Sequence, residues 1–155
     1  MIIHLQAVKA QEEFKLSLCW TLISSASTMC SMLGYHRKST LDGDQFAVAE
    51  TKRHAFWKLY TMDKNLSLNL GRTSNFPDYD IDAELFTPST NLKQRPWDLM
   101  ALATIKFAKV QGQVYNRLYS ASAPRAYFEE RSRAIDELST ELSCVHNELI
   151  AVCVL

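Results

Sequence analysis

Asp78, Asp80 and Asp82 stand at alternate positions. Carboxylates spaced in this way are the raw material of a cation-binding loop. A calcium loop of the EF-hand kind that starts at Asp78 needs glycine at its sixth position and glutamate at its twelfth. Those places hold Ala83 and Ser89, so the three aspartates read as a solvated acidic loop. His4, His36, His54 and His146 form no H-E-x-x-H pair, which leaves zinc hydrolysis without its ligands. Cys19, Cys30, Cys144 and Cys153 are widely separated and include no C-x-x-C. That spacing fits reduced, buried thiols of an intracellular protein better than a zinc site or a disulfide framework. No G-x-S-x-G turn, P-loop or dinucleotide glycine pattern occurs, so no nucleophile or phosphate cradle is expected. The sequon Asn65-Leu66-Ser67 falls in a helical stretch and is discounted as a glycosylation site. No catalytic residue, cofactor site or metal site is expected in the chain, and it is not expected to be an enzyme.

Charge points the same way. The chain has 155 residues, with Lys+Arg and Asp+Glu both at 17. A surface that binds nucleic acid by itself carries a basic excess to neutralise phosphates; none is present, so no direct nucleic-acid contact is expected. The apolar end Leu149–Leu155 is far shorter than the roughly 20 residues that span a bilayer, and the start has no basic-led signal peptide. No membrane association is expected. The length fits one domain, residues 1–155.

The elements that must position these residues read as helices throughout. Gly and Pro number 4 each, and both interrupt regular structure. Leu16, Cys19, Trp20, Ile23, Ala26, Cys30 and Leu33 form one stripe at steps of three and four, predicting a helix over about Ile3–Leu33 that Gly34 stops. Ser39, Thr40, Asp42, Gly43 and Asp44 predict a short loop. A second helix is predicted over Gln45–Leu70, capped by Asp44 and stopped by Gly71. Its stripe includes Phe46, Ala49, Phe56, Trp57, Tyr60, Leu66 and Leu70. Arg72 to about Thr90 is irregular and too long for a plain connection. Further helices are predicted over Trp97–Tyr119, with Pro96 in the first turn, and after Pro124, with Ile135, Leu138 and Leu142 on one face. The fold class is all-α, an irregular multi-helix bundle.

Two segments carry more than periodicity. One is Met32-Leu-Gly-Tyr-His-Arg37. The other runs from Ala49-Glu-Thr-Lys-Arg-His-Ala-Phe-Trp-Lys-Leu-Tyr-Thr-Met-Asp63 through Ser67 and Gly71-Arg72 to Asp78-Tyr-Asp-Ile-Asp82. Together they resemble the middle, regulatory region of fungal zinc-cluster transcription factors. The family pattern has a Leu-Gly-x-His-Arg helix end, then Glu-x-basic-basic-x-x-Phe-Trp, an aromatic, Asp-basic, Ser, Gly-Arg-Pro and an aspartate stretch ending near proline. The match is dense from Cys19 to about Leu85. It departs from the pattern at Thr73, where the family has proline after Gly-Arg, and near Glu84 and Leu85, where a proline is expected.

The residues carried over are Gly34, His36, Arg37, Glu50, Arg53, Phe56, Trp57, Tyr60, Asp63, Ser67, Gly71, Arg72, Asp78, Asp80 and Asp82. They read as structural before chemical. Phe56, Trp57 and Tyr60 bury one helix face, and the guanidinium of Arg72 is expected to grip the aspartate segment by bidentate pairing. The resemblance implies a nuclear regulator of transcription by RNA polymerase II, working with the transcription machinery or co-regulators and responsive to a small-molecule effector. A pocket for an effector would be lined by aromatics such as Trp20, Phe56, Trp57, Tyr60 and Phe107. The resemblance places zinc only in a six-cysteine DNA-binding module N-terminal to this region, which these residues do not encode. The alternatives are a helical interaction scaffold joining two copies as a homodimer, and a decayed fragment without DNA-binding activity.

Overall fold

The computed structural model describes residues 6–10, 13, 15–123 and 127–153. All regular structure among the described residues is helical. Residues 6–10 are helical, followed by α1 (Leu16–Met32), the single turn α2 (Lys38–Leu41) and the long α3 (Phe46–Leu70). After a 3-10 turn at Asp78–Asp80 come α4 (Arg95–Val114), a π-helical turn at Tyr115–Tyr119, and α5 (Phe128–Cys153). The chain divides into two compact units. The first takes in residues up to Asp63 together with Ser74–Thr87, and the second Lys64–Thr73 together with the chain from Pro88 onward.

In the first unit α1 buries Cys19, Ile23, Ser27 and Cys30, a stripe at helical spacing. Leu16 and Leu33, expected in the stripe, are exposed. The helix also starts later than its periodicity indicates: Lys15 has non-helical torsions (φ −86°, ψ 61°), although no Gly or Pro marks a break there. Gly34 ends it as expected. At φ +70° it donates its N–H to Ser31 O, while Tyr35 N–H reaches back to Cys30 O. This 5→2 and 6→1 pair is the Schellman motif, which needs a left-handed residue and therefore favours glycine. A Cβ at this position would also lie 2.5 Å from Thr40 Oγ1. The loop expected at Ser39–Asp44 contains the turn α2 instead, burying Leu41.

Helix α3 begins one residue later than expected. Gln45 O accepts the first bonds, from Val48 and Ala49 N–H, and the expected cap Asp44 accepts from Lys52 Nζ at 2.8 Å. Phe46, at its first position, is exposed. Ala49, Phe56, Trp57 and Tyr60 are buried as their spacing predicts. The C-terminal end repeats the Schellman arrangement: Gly71 (φ +61°) donates to Leu68 O and Arg72 N–H to Ser67 O.

In the second unit α4 starts with Pro96 in its first turn, and the buried Asp98 accepts from Ser89 N–H and Gln94 Nε2. Regular α-helix ends at Val114 rather than Tyr119. Helices α4 and α5 pack antiparallel: Lys106 pairs with Glu148, and eleven residues further along the chain Arg117, in the π-helical turn that continues α4, pairs with Glu137, eleven residues back along α5. Their core is Val110, Leu138 and Val145, flanked by Phe107, Val114, Leu118 and Leu149. Of the expected face of α5 only Leu138 is buried. Ile135 and Leu142 are 46% and 44% exposed, because the buried stripe runs through Ala134, Leu138 and Val145, about 70° around the helix from them. Pro124 lies outside the described residues. Cys19 and Cys30 are buried free thiols as expected, whereas Cys144 is exposed.

Candidate functional site

The signature residues of the first unit form one connected assembly. Segment Ser74–Thr87 lies as a strap across the buried face of α3 and the turn that follows α1. Its first anchor is Asp63. This carboxylate is fully buried and accepts from Ser74 Oγ at 2.5 Å, Asn75 N–H at 2.9 Å and Asn75 Nδ2 at 2.7 Å, with Phe76 N–H at 3.4 Å. A carboxylate without water is tolerable only when its lone pairs are met in this way. Phe76 follows into the core and meets Phe56 edge to face, with ring centroids 5.3 Å apart.

The second anchor is at the far end. Phe86 stacks on His54 with centroids 3.8 Å apart, and Thr87 N–H donates to Glu50 Oε2 at 2.7 Å. The other oxygen of Glu50 holds Arg53 Nη1 at 2.8 Å, one helical turn on. Beneath the strap Phe56, Trp57 and Tyr60 contact one another at centroid distances of 4.9–6.2 Å. Two polar edges emerge from this apolar cluster, and the strap satisfies both. Trp57 Nε1–H donates to Glu84 O at 2.9 Å, and Tyr60 Oη donates to Asp78 Oδ1 at 2.6 Å. Burial first, then the bond to Asp78 and the charges of Asp78 and Asp63, hold the Tyr60 phenol well above its ordinary pKa.

Between its anchors the strap is held by charge. Asp80 pairs with Arg37 and faces His36 Nε2 at 3.6 Å. Asp82 Oδ1 accepts from Lys38 N–H at 2.8 Å, and Asp82 and Ala83 N–H both donate to His36 O. Glu84 meets Lys38 Nζ at 2.6 Å and Arg53 Nη2 at 3.4 Å. The bond to Lys38 lowers the Glu84 pKa and raises that of Lys38. The structure thus gives each of the three aspartates protein donors. Among the described residues no group of three or more His, Cys, Asp or Glu has metal-holding geometry.

The assembly unites Gly34, His36, Arg37, Glu50, Arg53, Phe56, Trp57, Tyr60, Asp63, Asp78, Asp80 and Asp82. Ser67 and Gly71-Arg72 belong to the second unit, where Ser67 is buried and its carbonyl closes α3. Sequence reasoning missed Lys38, Ser74, Asn75, Phe76, Glu84 and Phe86. Only the apolar types of Phe76 and Phe86 within a polar stretch could have signalled them. Of the expected pocket aromatics, Phe56, Trp57 and Tyr60 are core, in contact with one another and closed over by the strap.

The geometry is that of a protein-stabilising clasp, and it engages the residues that carried the family resemblance. The sequence profile of the fungal specific transcription factor domain matches residues 14–147. The chain belongs to that family. It is 38% identical, over 70% of its length, to an uncharacterised transcriptional regulatory protein of Schizosaccharomyces pombe. It is 29% identical over 78% to an ABC-transporter-regulating transcription factor of Aspergillus fumigatus, and 28% identical over 87% to the protein STB5 of Saccharomyces cerevisiae. The matched stretches cover only 17%, 14% and 19% of those proteins. No solved structure matches the chain.

Proposed function

We propose that these 155 residues are the regulatory domain of a fungal transcription factor that acts in the nucleus on transcription by RNA polymerase II. Supporting this is the engagement of most of the family signature, all but Ser67, Gly71 and Arg72, in one clasp, in a chain whose relatives are named as transcriptional regulators. DNA reading falls to a separate zinc-holding module, and this domain works through co-regulators or the transcription machinery. The zero net charge supports that division, since phosphate contact needs a basic surface. Among the described residues no helix is long and apolar enough to cross a membrane. The domain responds to an effector through two packings of the clasp, one of which the effector prefers.

The experiment is a fusion of the chain to an unrelated DNA-binding module upstream of a polymerase II reporter. Wild type is expected to change reporter output, and Trp57→Ala, which breaks the clasp, to abolish or invert the change. Equal output from the bare module, the wild-type fusion and the Trp57→Ala fusion would sink the reading.

A further inference from the structure

The strap is built unevenly. Its ends are fixed by buried groups, Asp63 with Phe76 on one side and Phe86 on the other. Its middle, Asp78–Glu84, is held by hydrogen bonds and by ion pairs of half-exposed carboxylates: the side chains of Asp80 and Glu84 are 42% and 52% exposed. The groups that receive those carboxylates are four basic side chains of the same unit, His36, Arg37, Lys38 and Arg53. Asp80 bridges His36 and Arg37; Glu84 bridges Lys38 and Arg53. The acids facing this cluster are Glu50, paired with Arg53, and Asp42, whose charge acts on Lys38, besides the strap's own Asp78, Asp80, Asp82 and Glu84.

The strap leaves the cluster's donors incompletely used. His36 Nδ1 and Arg53 Nε are buried without a hydrogen-bond partner, and the His36–Asp80 and Arg53–Glu84 approaches are long, at 3.6 and 3.4 Å. An unmet buried donor such as Arg53 Nε favours a ligand with more acceptors than the present one supplies. Two carboxylates carried on the strap, one bound by His36 and Arg37 and the other by Lys38 and Arg53, are a template for one small molecule carrying several carboxylates.

We propose that His36, Arg37, Lys38 and Arg53 form a binding site for a small polycarboxylate, which the chain's own Asp80 and Glu84 occupy in the closed state. Binding there lifts Asp78–Glu84 and uncovers the polar edges of Trp57 and Tyr60, while the anchors at Asp63 and Phe86 hold. The proposal deepens the effector-responsive reading above by naming the class of effector. The tethered carboxylates compete at the high effective concentration of an intramolecular group, so the ligand must engage both pairs of basic side chains together.

The test uses the 155-residue chain, citrate as the probe, and sodium chloride at equal ionic strength as the control. Hydrogen exchange of residues 78–84 is expected to speed up in citrate and not in chloride, with residues 74–76 and 86–87 unchanged. Competition has a second signature: removing the internal occupant must strengthen binding. Asp80→Asn with Glu84→Gln is expected to bind citrate about tenfold or more tightly than wild type. If that pair loses its helical circular dichroism, Arg37→Gln carries the test and is expected to weaken the citrate response about tenfold. Equal exchange in citrate and chloride would overturn the proposal, as would unchanged or weaker binding by a folded double variant, or an unchanged response by Arg37→Gln. None of those results touches the reporter fusion, whose outcome decides the broader reading separately.

Discussion

Tyr60 and Asp78, eighteen residues apart, share a 2.6 Å hydrogen bond in which the phenol is the donor. One end of that bond is fully buried in the aromatic face of α3 and the other is on the strap. The folded state therefore prefers the neutral phenol, whose pKa lies above the ordinary value of 10.0. The stabilisation is complete below pH 10 and falls above it, where the unfolded phenol ionises and the buried one resists. Melting temperature is expected to decline above pH 10. Tyr60→Phe is expected to cost about 1 kcal/mol at pH 7 and to make that alkaline decline shallower. An equally steep decline in the variant would show that Tyr60 is not its source.

Trp57 fills core volume and also ties the strap through Glu84 O. Trp57→Ala is expected to destabilise by about 3–5 kcal/mol, the usual range for emptying a buried aromatic site. Trp57→Phe retains most of the packing and loses the N–H, so it is expected to cost about 1–2 kcal/mol. Urea denaturation of both variants separates the packing contribution from the hydrogen bond; a Trp57→Phe midpoint equal to wild type would mean that the indole N–H contributes nothing.

At Asp63 the strap depends on a carboxylate rather than on a neutral side chain of similar shape. Asp63→Asn turns an amide NH2 toward donors that need an acceptor, and about 3 kcal/mol or more is expected to be lost. Asp82→Asn, at an exposed position, is expected to change stability by less than about 1 kcal/mol. The comparison is a matter of two denaturation midpoints, and the ranking is the prediction.

The Lys38–Glu84 pair has a pH window that its two shifts define. Glu84 is lowered from 4.5, so its contribution is present above that pH and is lost as pH falls below it. Lys38 is raised from 10.5, so its contribution is present below that pH and is lost on going higher. A double-mutant cycle with Lys38→Met and Glu84→Gln is expected to show coupling at pH 7 that shrinks at both extremes and with added salt. Coupling that persists well below pH 4.5 would exclude ionic origin.

Thiol reactivity is expected to follow burial. Cys144 is exposed, whereas Cys19 and Cys30 are buried, with desolvation raising both thiols and pushing Cys30 up to about 11. The thiolate is the nucleophile. Iodoacetamide on the native protein is therefore expected to label Cys144 well before Cys19 or Cys30, as peptide mass spectrometry would read.

What the sequence determined alone was local in origin. Gly34 and Gly71 end α1 and α3 because the Schellman turn needs a left-handed residue, a property of a few consecutive residues. The burial of Phe56, Trp57 and Tyr60 follows from helical spacing, and the signature segments were enough for the family. Tertiary structure decided which partner each acid meets. Asp80 finds Arg37 across 43 residues and Glu84 finds Lys38 across 46; all four side chains are long or polar enough to suit several partners, and only the folded path of the strap chooses among them. The same holds for α5, where Leu138 and Val145 face α4 while Ile135 and Leu142 do not. Both pairs have helical spacing, and which face is covered depends on the helix that packs against it.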